Sequence, residues 1–140
     1  MTTPWQAGAE PRSYPIHRSS DLVHIRQAVR ALSQECGLSL VDQTKMITAA
    51  SELARNTLVY GGGGAVRTGL VGADARRGVA AVFEDAGPGI PDVEQAMTDG
   101  WTSGSGLGLG LSGARRLVDD FDLRTAPGEG TVVTIVKWVR

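Results

Sequence analysis

The stretch GSGLGLGLSGARRL, Gly104 to Leu117, puts five glycines into its first ten residues and then turns into a helical pattern. Two readings compete for it. It is a flexible linker, or it is a loop of bare backbone shaped to hold an anion. Glycine lets N–H groups approach phosphate oxygens without a Cβ in the way. A helix start around Leu109–Ser112 adds unpaired N–H groups and partial positive charge. The spacing is not a Walker loop, because no Gly-Lys-Ser/Thr follows, and GxGxG alone is weak evidence. The regular placing of Leu107, Leu109 and Leu111 speaks against a linker, which has no use for a leucine ladder.

The chain has 140 residues, 41% apolar and 21% charged, which suits one globular domain with a real core. Its net charge of −1 gives no ground for non-specific binding to nucleic acid or to an acidic membrane surface. Cys36 is the single cysteine, so no disulfide forms within the chain and no multi-cysteine metal site exists. A cytoplasmic location fits. No apolar run resembles a signal peptide or a membrane span. Residues 1–10 read as a loose tail and residues 11–140 as a single domain.

Arg12–Arg18 reads as a short strand that Pro15 confines to an edge. Leu22, Ile25, Val29, Leu32 and Cys36 recur at helical spacing, with Ser19 or Ser20 to cap the start and Gly37 to end it. A second helix runs from Ser39 to about Tyr60, with Ser39 and Asp42 as a capping-box variant. Its stripe is Leu40, Ile47, Ala50, Leu53, Ala54 and Leu58. Ala65–Val71 and Val79–Glu84 read as strands joined by a turn. Pro91–Gly100 suggests a short helical lid, LSGARRLVDDF a third helix, and LRTAPGEGTVVTIVKWV a closing hairpin. The fold class is an α/β two-layer sandwich: a mixed, mostly antiparallel sheet with helices on one face.

Two further motifs bear on chemistry. In EDAGPGI (Glu84–Ile90), a carboxylate ends an apolar strand before Gly-Pro-Gly. Asp85 at that position either accepts a hydrogen bond from an exocyclic amine or satisfies its own turn. In SELARN (Ser51–Asn56), Glu52 and Asn56 stand four apart and share a helix face. Either the pair is a solvated face, or Glu52 serves as a base while Asn56 offers an oxygen to a hard cation such as Mg²⁺.

In their order and separation the three motifs resemble the N, G1 and G2 boxes of the GHKL (Bergerat-fold) ATPases. Within that group the chain is similar to the RsbT-type serine/threonine kinases of the stressosome. The segments DQTKMITAASELARNTLVYGGGG, FEDAGPGIPDVEQAMTDGWTSGSGLGLGLSGARRLVDDF and GTVVTIVKWVR carry this likeness, which covers nearly the whole chain.

The resemblance implies ATP and Mg²⁺ as cofactors. It implies Glu52 as general base, Asn56 as Mg²⁺ ligand and Asp85 as the aspartate on the adenine amine. Gly87 and Gly89 would pass close to the nucleotide. Gly104, Gly106, Gly108 and Gly110 would face the phosphates, and Thr131 would support adenine from the last strand. Many relatives carry His-Gly shortly after the Asn, where this chain has Tyr60, read as packing first and nucleotide contact second. Arg55 is a candidate cation for the γ-phosphate, with a surface salt bridge as the blander reading. His24 is read as an ordinary helix residue and Trp138 as core or edge packing. Trp101 is a partner anchor or a cover for the sheet's end. The implied function is phosphorylation of STAS-domain antagonist and scaffold proteins, followed by activation of a PP2C-type phosphatase. The alternative is an anti-sigma factor that sequesters a sigma factor.

Overall fold

The computed structural model describes residue 5 and residues 10–73, 75–98 and 110–140. Trp101, Gly104, Gly106, Gly108, Leu107 and Leu109 lie outside the described residues. The elements run β1 (Arg12–Ile16), α1 (Ser19–Cys36), α2 (Leu40–Val59), β2 (Gly64–Ala73), β3 (Arg76–Asp85), α3 (Val93–Ala96), α4 (Leu111–Leu117), β4 (Asp120–Thr125) and β5 (Thr131–Trp138). The five strands form one sheet in the order β1-β2-β3-β5-β4. Pro15 does lie in an edge strand. Every described pairing is antiparallel, where a mixed sheet was expected.

The helices lie on one face of the sheet. Val66, Val79, Ala81, Phe83, Val133 and Ile135 point from the strands into a core shared with Ile25 and Val29 of α1 and Met46, Ala50 and Leu53 of α2. Alternation along each strand follows from the period-2 geometry of extended chain. Each large side chain fully removed from water here contributes about 1.5–3 kcal/mol. The opposite face carries a smaller cluster of Val71, Ala80 and Val136 with Trp5 and Trp138. Trp138 is anchored there by Asp120, which accepts from its Nε1 at 2.8 Å, and by the Arg76 guanidinium 4.3 Å from its ring centre.

Gly37 ends α1 in the left-handed conformation, as expected, with its N–H donating to the Gln34 carbonyl at 3.2 Å. The start differs from the expectation. Neither Ser19 nor Ser20 caps it; both lie inside the helix. The Asp21 carboxylate instead reaches back to accept from the N–H groups of His17 (2.8 Å) and Arg18 (3.1 Å), which holds its pKa below the ordinary value despite some desolvation.

In α2, Ser39 does cap the start, its hydroxyl accepting from Asp42 N–H at 3.1 Å. The stripe shifts, however. Met46, Ala49, Ala50, Leu53, Ala54 and Thr57 are buried, whereas Leu40 is 77% exposed. Asp42, only partly exposed, takes an inward position at the helix start. Its carboxylate lies 3.6 Å from the Nζ of Lys137, which is itself 4% exposed. Asp119 sits 3.4 Å from the same ammonium, pairs with Arg140 and accepts from Trp138 N–H at 2.7 Å. Burial pushes the Asp119 pKa up, but these partners outweigh it and hold the group below the ordinary value.

Among the described residues no helix is long and apolar enough to cross a membrane.

Candidate functional site

The C-terminal half of α2 faces the end of β3. Four residues make just over one helical turn, so Glu52 and Asn56 project from one side, above the buried Leu53 and Thr57. The helix stops where glycines begin. The Asn56 carbonyl accepts from both Tyr60 and Gly61 N–H at 2.9 Å, and the Thr57 carbonyl accepts from Gly63 N–H at 2.8 Å. Gly62 and Gly63 have positive φ, and the chain turns directly into β2.

Asp85 closes β3, paired in register with Gly64 on one side and Thr131 on the other. Its Oδ1 accepts from Gly87 N–H at 2.9 Å. Burial pushes the carboxyl pKa up, and the backbone N–H groups of Gly87 and Thr131 pull against that shift without cancelling it. A group with such opposed influences inside a cleft is a candidate functional residue on physical grounds. Of the two readings made from sequence, the structure displays the turn. Asp85 satisfies its own turn, and it also lines a cleft.

That cleft opens between the end of α2 and the sheet. Leu53, Asn56, Thr57 and Tyr60 of the α2 end, Phe83 and Asp85 of β3, Ile90, Leu111 of α4, and Thr131 and Val133 of β5 line it. Three of the polar residues singled out from sequence, Asn56, Asp85 and Thr131, therefore meet in one place although 75 residues separate the first from the last. Glu52 lies one turn back along α2. It reaches Gly110: a Cβ on that glycine would come within 2.5 Å of Glu52 Oε2. Gly110 (φ +62°) precedes Leu111, the first residue of α4, so the described end of the glycine-rich stretch abuts the Glu52 carboxylate. Arg55 is exposed on α2, and His24 is exposed on α1.

Gly87 and Gly89 were expected to let the chain pass close to a ligand. In the structure their smallness serves chain-to-chain contact. A Cβ on Gly87 would stand 2.7 Å from the Gly61 carbonyl oxygen, and one on Gly89 would stand 2.1 Å from the Ala126 carbonyl oxygen. Gly61 is the counterpart. A Cβ there would meet the Asp85 carboxyl carbon at 2.4 Å and its Oδ2 at 2.6 Å. Sequence reading passed over Gly61 as one of four consecutive glycines.

Tyr60 takes the packing role foreseen first for it. It packs against the core and lines the cleft, while its hydroxyl donates to the Gly89 carbonyl at 3.2 Å. Thr125 was missed. Its hydroxyl accepts from Ile90 N–H at 2.9 Å and lies 3.0 Å from both the Gly130 carbonyl and the Thr131 hydroxyl. The symmetric run T-APGEG-T, five turn residues between two threonines, is the signal that could have found it, since it sets Thr125 opposite Thr131.

The donor set suits a hard cation with few protein ligands. Among the described residues no three His, Cys, Asp or Glu side chains gather around a common point. Asn56 offers one carboxamide oxygen. Mg²⁺ keeps most of its waters and takes the rest of its shell from substrate phosphates, so a single protein oxygen fits it and would not fit an all-protein cage.

Residues 41–139 match the family described as Histidine kinase-, DNA gyrase B-, and HSP90-like ATPase. The chain is 43% identical over 120 residues to Serine/threonine-protein kinase RsbT of Bacillus subtilis, covering 86% of this chain and 90% of that protein. It is 32% identical over 120 residues to Anti-sigma F factor of Pasteuria penetrans, covering 80% of this chain and 79% of that protein. Among solved structures, the RsbU and RsbW domains of a Mycobacterium tuberculosis protein superpose with a TM-score of 0.62 at 20% identity, a likeness of fold. The match takes in 91% of this chain and about a third (32%) of that two-domain chain.

Proposed function

Because the chain belongs to the histidine kinase-, DNA gyrase B- and HSP90-like ATPase family, and is a serine/threonine-protein kinase within it, we propose that its cleft binds ATP with Mg²⁺ and that the γ-phosphoryl group passes to a STAS-domain protein. The observation that carries this reading is the convergence of Asn56, Asp85 and Thr131 on one cleft, with Glu52 a turn away. Residues 11–140 act as one such domain.

Asp85, a partly buried acceptor at the cleft's end, takes the base by its exocyclic amine. Apolar walls of Leu53, Phe83, Ile90 and Val133 cover the ring and exclude water. Asn56 would hold Mg²⁺, which when bound neutralises phosphate charge. Phosphoryl transfer asks the protein for positioning and electrostatics more than for covalent chemistry. Glu52 faces the end of the glycine-rich stretch at Gly110, and there it takes the proton from the acceptor hydroxyl. Gly104, Gly106, Gly108 and Gly110 supply N–H groups toward the phosphates in this reading.

The proposal extends to release from the phosphorylated substrate and activation of a PP2C-type phosphatase. A second reading, capture of a sigma factor, is favoured by the likeness to proteins named anti-sigma F factor. Calorimetry with ATP, a transfer assay on a STAS protein and a pull-down against both partner types separate these outcomes. Glu52→Ala is expected to bind ATP and lose transfer by 100-fold or more. Asp85→Asn is expected to lose binding. Full transfer by Glu52→Ala removes it from the base role, and capture of the sigma factor alone replaces the kinase reading.

A further inference from the structure

We infer that Thr125, which does not line the cleft, fixes the hydrogen-bonding direction of Thr131 and so makes the cleft selective for a base that offers an amine. The inference rests on the nucleotide reading above and deepens it.

Thr125 and Thr131 are directly opposed across the β4–β5 pair and share the helix-facing side of the sheet. The Thr125 hydroxyl has three neighbours: Ile90 N–H at 2.9 Å, the Gly130 carbonyl at 3.0 Å and the Thr131 hydroxyl at 3.0 Å. A hydroxyl has one proton and two acceptor positions. Ile90 N–H can only donate, so it fills one acceptor position. The Gly130 carbonyl can only accept, so it takes the single proton. The remaining acceptor position faces Thr131, whose hydroxyl must therefore donate. All three contacts are satisfied in this arrangement and in no other.

Thr131 has then spent its proton. It is 9% exposed and lines the cleft, so what it offers a bound group is lone pairs. Asp85, its cross-strand partner, also accepts. Two acceptors side by side suit the two N–H bonds of adenine's 6-amino group; a 6-oxo purine puts an acceptor in that place and keeps only its N1–H to donate. A site of fixed polarity rejects the wrong partner because buried groups are left unpaired. Thr125 is a positioning residue: it touches no ligand and acts through Thr131.

The test compares ATP with inosine triphosphate, which replaces the 6-amino group by an oxo group, using calorimetry on the intact chain. Wild type is expected to favour ATP. Thr125→Val releases the Thr131 proton, and the preference is expected to shrink about tenfold, chiefly through tighter inosine triphosphate binding. Thr125→Ser keeps the hydroxyl and is expected to keep the wild-type ratio. An equal loss for both nucleotides in a folded Thr125→Val protein, or an unchanged ratio, overturns the inference and leaves the nucleotide reading standing. Should Thr125→Val not fold, Thr131→Val carries the test. An acceptor-only Thr131 means that this variant loses ATP affinity and keeps inosine triphosphate affinity, and the reverse pattern overturns the inference. Absence of binding by wild type to either triphosphate overturns the nucleotide reading and this inference with it.

Discussion

Gly61→Ala is expected to weaken ATP binding sharply while the fold survives. The added methyl carbon would lie 2.4 Å from the Asp85 carboxyl carbon. Carbon atoms pack at about 3.5–4.0 Å, so the carboxylate must move by about 1.1 Å or more. Its 2.9 Å bond from Gly87 N–H does not survive such a shift. The backbone of Gly61 is not at positive φ, so alanine suits the local conformation and the damage falls on Asp85. A hydrogen bond to a charged group contributes about 1.5–3 kcal/mol, and losing the one to the base lowers affinity by about 10- to 150-fold. Disturbing the carboxylate's backbone partners costs the fold about 2 kcal/mol, or about 7 °C of melting temperature in a chain of this size. Calorimetry with ATP and a circular-dichroism melt on the same preparation read both quantities. A folded Gly61→Ala protein with ATP affinity within about twofold of wild type would falsify the placing of the base at Asp85.

Two further expectations concern stability. Gly113 lies within α4 with open space where a Cβ would go, so Gly113→Ala is expected to raise stability by about 0.5–1 kcal/mol in a denaturant melt and leave ATP affinity unchanged. Asp119 has a folded pKa below its ordinary 3.8, so its stabilising effect is whole above that range and is lost as pH falls through the lowered value. Asp119→Asn is expected to cost about 2 kcal/mol at neutral pH, and the gap to wild type should close as acid melts are taken below pH 4; a gap that stays constant with pH means that the loss is one of packing.

The helical periods of α1 and α2, the Gly37 stop, the APGEG turn and the motif residues around the cleft were all legible in the sequence, because each is a local signal. What stayed hidden depended on cross-chain partners. Leu40 looked like the first member of an apolar stripe, yet an inward position at that helix start belongs to Asp42, and only Lys137, 95 residues away in sequence, explains why. The run LSGARRLVDDF looked helical throughout. The helix ends at Leu117 because Phe121, Leu123 and Thr125 alternate inward and pair with β5, and that strand pairing outweighs any helical preference of the intervening residues. Within the cleft, Asn56 and Asp85 could be named from their motifs, and Thr131 from the family resemblance. The Thr125 network and the Gly61 contact could not, since both arise from strands and loops meeting in space.

The meeting of Gly61 with Asp85 and Gly87 also bears on how such a chain can diverge. At most positions around a cleft, evolution tunes affinity by exchanging one side chain for another in small steps. Here the carboxylate is walled by backbone, and any residue larger than glycine at position 61 or 87 collides at once with a carbonyl or with the carboxylate itself. The junction offers no graded route, so it is either kept whole or abandoned together with the base. Descendants of this chain that bind nucleotide more or less tightly are expected to carry their changes elsewhere, at Thr57, Tyr60, Ile90 or Leu111, where a side chain faces the cleft and can be exchanged by degrees.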